Sequence, residues 1–154
     1  MSRATLAKIT ADLYEQDFNL WLKRQAELLH EGHFEELDLE NLIEEVQDIG
    51  KRDKREVKNR LIVLLTHLLK HQYQPNKRTR SWLDTIDEQR SQLGYIFEDS
   101  PSLKAHYAPA ILDTCYEAAS NKAKRQTGLP VTTFPASCPY SLEQALDPDF
   151  LPEG

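Results

Sequence analysis

The stretch RLIVLLTHLLK, residues 60 to 70, is the feature that most limits what this chain can fold into. Between Leu61 and Leu69 every position is apolar except Thr66 and His67, so a helix built from it presents apolar side chains in almost every direction. Such a helix is stable only when other elements surround it. A bilayer-spanning helix needs about 20 apolar residues, roughly twice the length of this run. The stretch therefore predicts the central helix of a soluble multi-helix protein.

The other helices are predicted from apolar residues that recur at spacings of three and four, together with capping signals at the helix ends. Gly50 interrupts the second pattern without changing its phase, so we expect either one long helix bent at Gly50 or two helices that meet there. Ser100 and Pro101 begin a further helical region, which Pro109 is expected to kink near Tyr107. The remaining predicted helical segments, in chain order, are 10–30 capped by Thr10, 38–72 capped by Asp38 as one or two helices that include the central one, a helix after a capping box of Ser81 and Asp84, 110–126 ended by Gly128, and 141–146.

No stretch predicts a β-strand, so the expected fold class is all-α: a compact bundle of about five or six helices around the central buried helix. We expect a single domain over residues 1–154, with a helical body at 10–128. Five of the eight prolines follow residue 128, so residues 129–154 are predicted to form a mostly extended tail packed on that body. A chain of this length buries a sufficient core without a metal or disulfide, and no cofactor is expected.

Charge is distributed unevenly along the chain. Residues 1–50 carry 12 acidic and 4 basic side chains, residues 51–80 carry 2 and 10, and residues 81–154 carry 11 and 5, for a net charge of -6. Cys115 and Cys138 form no paired-thiol motif, and no apolar signal segment or membrane span is recognisable. These features predict a cytoplasmic protein without a membrane partner.

Several blocks of residues, in a fixed order, carry a resemblance to a known family. They are LYEQDFNLWL, LDLENLIEEVQDIG, RLIVLLTHLLKHQYQP followed by RTRSW, and TGLP followed by FP, CPY, LEQ and DPDFLPE. Together they resemble the bacterial family known as domain of unknown function twenty-nine. The resemblance implies an all-α fold, usually as a single domain, and implies no activity. His71 departs from the family pattern, which often has an aromatic residue there, whereas His67 follows it.

The two histidines could form a metal site. His67 and His71 are four residues apart, so both would point the same way from one helix, as in zinc-binding helices. Glu44 and Asp48, also four apart, could supply facing carboxylates. The alternative is that His67 is a buried imidazole bonded to a neighbouring helix, while His71 is half exposed at the helix end. We favour this alternative because no HExxH signature is present.

A second set of candidates could bind an anion or a partner. A basic helix and loop can contact phosphates, and a tryptophan can stack on bases. A sequence isoelectric point near 5.4 is far below that of most nucleic-acid-binding domains. The candidates are Lys51, Arg52, Lys54, Arg55, Arg78, Arg80 and Trp82.

An aromatic stripe of Tyr14, Phe18 and Trp21 is expected to pack inward, with part of it as a candidate homodimer surface. Walker, dinucleotide-binding and GxSxG signatures are absent. The first functional hypothesis is therefore a small non-enzymatic module that binds a protein partner or forms a homodimer. The second is a metal-dependent enzyme with a histidine and carboxylate site. The third is a nucleic-acid-associated regulator that uses the basic middle segment.

Overall fold

The computed structural model of the chain describes residues 12–153. Within this range the regular structure is entirely helical, which confirms the predicted all-α class. The α-helices are α1 (Phe18–Glu31), α2 (Leu39–Tyr73), α3 (Arg80–Asp99), α4 (Ala108–Thr127) and α5 (Leu142–Leu146). Residues 12–16 are also helical, and short 3-10 helices occupy Phe34–Glu36, Pro75–Lys77 and Val131–Thr133.

The chain forms two compact units, residues 1–51 and residues 52–154. The border lies inside α2, which is one helix from Leu39 to Tyr73 and has Gly50 in its interior. This is the single-helix alternative of the two expected at Gly50. The single domain over residues 1–154 stays a prediction.

The first helix begins later than its apolar pattern predicts. Asp17 has an extended backbone (φ -152°) and its carboxylate accepts a hydrogen bond from the Leu20 amide at 3.0 Å, so Asp17 is the N-cap of α1 and separates it from residues 12–16. The predicted cap Thr10 lies outside the described residues. The continuous helix expected up to about His30 is therefore wrong at Asp17, because a carboxylate that bonds a nearby amide competes with the helical backbone.

The start of α3 also differs from the prediction. Thr79, and not Ser81, is the N-cap, since its hydroxyl accepts the Trp82 amide at 3.2 Å. The predicted capping box of Ser81 and Asp84 is wrong because the helix already begins at Arg80. Ser81 and Asp84 both lie inside the first turns of the helix, and Thr79, two positions before Ser81, is its cap.

Pro109 produces the predicted irregularity near Tyr107. Its ring removes one amide donor, and Leu103–Tyr107 forms a π-helical turn in which the Ala108 amide bonds the Leu103 carbonyl. Helix α4 then runs without interruption to Thr127. It ends where predicted, at Gly128, which has the left-handed conformation (φ 68°) that glycine adopts without steric cost.

The core of residues 52–154 forms around α2. Leu61, Leu64 and Leu68 are fully buried, as expected for a helix that is apolar on nearly every side. The same cluster includes Ile86 from α3 and Ala119 from α4. Residues 129–153 add buried side chains to it, namely Phe134, Tyr140, Leu142 and Ala145.

Candidate functional site

An apolar stripe on the first three turns of α2 is exposed to solvent. It consists of Leu39 (61% exposed), Ile43 (51%), Val46 (67%) and Ile49 (55%). Spacings of four, three and three place these side chains on one side of the helix. We call these four residues the α2 stripe. An amphipathic helix normally buries such a stripe against its own protein, so its exposure is the least expected feature of the described surface.

The neighbouring helix in the unit of residues 1–51 exposes apolar side chains as well. Of twelve large hydrophobic residues exposed in the described part of the chain, nine lie in this unit. Besides the α2 stripe they are Phe18, Leu20, Leu22, Leu29 and Phe34. Scattered single hydrophobic residues are normal on a protein surface, but a concentration in one small unit is typical of an interaction site.

A buried polar network fixes α1 against the start of α2. The indole N–H of Trp21 donates to Asp38 Oδ2 at 2.9 Å, and the Asn41 amide donates to the same oxygen at 2.8 Å. The Asp38 backbone amide donates to Gln25 Oε1, also at 2.9 Å. Asp38 directly precedes α2, as predicted, but its carboxylate serves this network. The network sets where α2 begins and therefore positions the α2 stripe.

The predicted aromatic stripe is divided between interior and surface. Trp21 is fully buried, whereas Phe18 is 44% exposed. Trp21 stacks on Phe18, with ring centroids 5.6 Å apart, and meets the Tyr14 ring edge to face at 4.8 Å. The Tyr14 hydroxyl donates to Glu45 Oε1 at 2.5 Å, and this bond raises the pKa of Tyr14 to about 12. The inward packing expected of the whole stripe therefore applies fully to Trp21 only.

Carboxylates border the α2 stripe on one side. Glu40 and Glu44 follow Leu39 and Ile43 by one residue each, and both are exposed. In residues 12–153 neither carboxylate forms an ion pair. Two like charges at i and i+4 repel each other by a few tenths of a kcal/mol, about as much as an opposite pair attracts. This edge of the stripe is therefore unneutralised and negative.

The two histidines have environments opposite to those expected. His67 is half-buried, and its Nδ1 lies 2.9 Å from the Val63 carbonyl of its own helix, not of a neighbouring one. His71, expected to be half exposed, is buried, with Nδ1 3.3 Å from the Pro152 carbonyl. A carbonyl oxygen only accepts, so Nδ1 carries the proton in both bonds. Burial lowers the pKa of both imidazoles, and the charge of Arg78 lowers that of His71 further.

The four proposed metal ligands belong to different units. Glu44 and Asp48 lie in residues 1–51, and His67 and His71 lie in residues 52–154. Between residues 12 and 153, no three His, Cys, Asp or Glu side chains are grouped so that they could hold a metal ion. The four-residue metal site stays a prediction.

The basic residues of α2 are mostly on the surface. Lys51, Arg52, Lys54 and Arg55 are exposed, and the Lys54 ammonium lies 5.5 Å from the centre of the Tyr107 ring. A shallow cavity of about 430 Å³ is lined by Arg52, Arg55, Glu56, Asn59 and Arg60. Glu56 neutralises one of these cations, since its carboxylate accepts from Arg60 Nε at 2.9 Å.

The arginines and tryptophan after α2 have partners within the protein. Arg78 Nε donates to the His71 carbonyl at 2.6 Å, which satisfies one of the last carbonyls of α2. Trp82 is half-buried under the Lys70 ammonium, which lies 4.7 Å from its ring centre. Arg80 is exposed at the first position of α3. Lys70 therefore covers the Trp82 ring, which was the predicted candidate for stacking on a nucleic-acid base.

The cysteines do not have the environment of nucleophiles. Burial raises the pKa of Cys115 to about 11, and it also raises the pKa of Cys138. A thiol with a raised pKa stays protonated at neutral pH, and the thiolate is the reactive form. Cys138 lines a cavity of about 860 Å³ between α4 and residues 131–138.

Arg90 is the important residue that the sequence predictions missed. It is buried in α3, where Nε donates to the Ala145 carbonyl and Nη2 to the Phe150 carbonyl, each at 2.8 Å. Its position could have revealed it, because Ile86, Arg90, Leu93 and Phe97 follow the spacing of the apolar face of α3. A cation on an apolar face needs a buried acceptor.

Comparisons with known proteins place the chain in a family without adding an activity. Among the described helices, none has the length and apolar character needed to cross a membrane. No curated protein and no solved structure matches the chain. One family model matches residues 13–151, nearly the whole sequence, which confirms the resemblance of its sequence blocks. The chain belongs to the family described as domain of unknown function DUF29.

Proposed function

We propose that the protein is a non-enzymatic interaction module that binds a helix of another protein through the α2 stripe. The observation that carries this proposal is that each of the four stripe residues is more than half exposed to solvent. An apolar row at spacings of three and four is the surface onto which a partner helix packs its own apolar row. The polar network at Asp38 holds this surface in place before a partner arrives.

The environments of the cysteine and histidine side chains, which are the common catalytic groups, also favour a non-enzymatic function. The thiols have raised pKa values, and the imidazoles of His67 and His71 are each engaged with a backbone carbonyl. By contrast, each side chain of the α2 stripe is more than half exposed, so burial in the described fold does not account for its apolar character. Keeping such residues on a surface is costly for solubility, which a binding function offsets.

The test is a matched pair of substitutions on two exposed valines. Val46→Asp places a charge inside the α2 stripe, and Val131→Asp makes the same change in the 3-10 helix Val131–Thr133, outside the stripe. A partner recovered with the wild-type chain is purified, and its affinity for the three chains is measured by isothermal titration calorimetry. Burial of an unpaired carboxylate together with loss of the valine contact costs more than about 2 kcal/mol, so Val46→Asp should weaken binding by about 30-fold or more.

Val131→Asp should change the affinity by less than about threefold, since Val131 is not part of the α2 stripe. Equal affinities for the wild-type chain and the Val46→Asp variant would refute the proposal. Equal weakening by both substitutions would also refute it, because general repulsion would then explain the loss. Circular dichroism of both variants checks that the helices are retained.

A further inference from the structure

We infer that the helix bound by the α2 stripe is basic, with Lys or Arg residues flanking its apolar row. This inference rests on the proposed function and adds the chemistry of the partner. Its starting point is charge: residues 12–51 contain 12 acidic and 3 basic side chains. A surface of one sign attracts partners of the opposite sign and repels those of its own.

The location of two carboxylates makes the inference specific to the α2 stripe. Glu40 and Glu44 stand beside Leu39 and Ile43, on the side of the stripe away from Glu45, which is bonded to Tyr14. They are exposed and form no ion pair within the described residues. A Lys or Arg of the partner placed between them would pair with both carboxylates and offset their mutual repulsion.

The same charge disfavours a second copy of the chain as the occupant. Two identical stripes facing each other would bring Glu40 and Glu44 of both copies to one interface. Like charges across an interface oppose association. An amphipathic helix with basic flanks matches the apolar row and the acidic edge together.

The inference is tested with three synthetic helical peptides that share one leucine row and differ only in their flanks, which are Lys, Gln or Glu. Binding to the full chain is measured by fluorescence anisotropy at low and high salt. Exposed ion pairs contribute up to about 1 kcal/mol each, so the Lys peptide should bind about tenfold tighter than the Gln peptide at low salt. The difference should shrink in high salt, where exposed charges are screened.

Two double substitutions locate the effect. Removing the charges at the stripe with Glu40→Gln and Glu44→Gln should abolish most of the preference for the Lys peptide. The matched control, Glu98→Gln with Glu117→Gln, removes two exposed charges from residues 52–154 and should preserve it. A shuffled Lys peptide without the leucine row should bind at least about tenfold more weakly than the ordered one, because it lacks the apolar contact.

The outcomes separate the inference from the function on which it rests. Equal binding of the Lys and Gln peptides, lost in Val46→Asp, would overturn the basic partner and keep the interaction site. Binding of the shuffled Lys peptide as tightly as the ordered one would also overturn the inference. Sedimentation of the chain alone as a dimer that Val46→Asp dissociates would identify a second copy as the occupant. Binding that Val46→Asp leaves unchanged would overturn the proposed function itself.

Discussion

Replacing Arg90 with methionine is expected to lower the free energy of unfolding by about 2–4 kcal/mol. The side chain is 7% exposed and makes two short hydrogen bonds, to the carbonyls of Ala145 and Phe150, with a weaker one to Gln144 at 3.5 Å. Ala145 itself is fully buried, so its carbonyl has little access to water once the guanidinium is gone.

The magnitude follows from two opposing terms. Hydrogen bonds to a charged group contribute about 1.5–3 kcal/mol each, and an abandoned buried acceptor costs about 1–3 kcal/mol. Against this, methionine removes the cost of burying the guanidinium, a cost reflected in the lowered pKa of Arg90. Two lost bonds amount to about 3–6 kcal/mol, and the recovered desolvation reduces this to about 2–4 kcal/mol.

The assay is urea unfolding followed by circular dichroism, combined with amide hydrogen exchange. Exchange should accelerate most in residues 142–152, because Arg90 joins α3 to that segment. Arg125→Met, at an exposed position of α4, is the matched control and should change the unfolding midpoint little. Arg90→Lys keeps the charge but cannot donate in the same forked geometry, so it should be intermediate. An unfolding midpoint of Arg90→Met equal to that of Arg125→Met would refute the reasoning.

Two further results are expected. Because burial lowers the pKa of His67 and His71, the unfolded chain binds more protons than the folded one as pH falls below about 6.5. The urea concentration at the unfolding midpoint should therefore decrease when the pH is lowered from 7.5 to 5.5. His71→Gln should make this decrease smaller, whereas His106→Gln, at an exposed position, should not. A midpoint independent of pH would contradict the assignment. Trp21→Phe removes the indole N–H that bonds Asp38 and leaves a smaller aromatic ring, so thermal unfolding should show a loss of at least about 1–2 kcal/mol, and an unchanged melting temperature would argue against the network.

Much of the helical layout follows from the sequence because its causes are local. The spacing of apolar residues predicts α2 and α4, Gly128 ends α4 by its left-handed conformation, and Pro109 disturbs the turn before it. These effects act over three to five residues, the range within which side chains and backbone interact in a helix. The error at Thr79 arose because a second capping residue of similar strength lay two positions from Ser81, and the error at Asp17 arose because a capping residue lay inside a continuous apolar pattern.

The environments of the candidate site residues were set by contacts between distant parts of the chain. His71 is buried and bonds a carbonyl 81 positions later in the chain. Arg90 donates to carbonyls 55 and 60 positions later. No local pattern specifies such partners. The sequence predicted where these residues lie along their helices, but their burial and bonding required the folded chain.

The α2 stripe shows most clearly which features follow from the sequence and which require the folded chain. The sequence alone determined that Leu39, Ile43 and Val46 lie on one side of a helix, since the helical repeat fixes their direction. The same repeat in Leu61, Leu64 and Leu68 leads to complete burial. Only the tertiary structure decided which row is covered, because burial depends on the packing of other helices over it, and that packing covers the second row and leaves the first exposed.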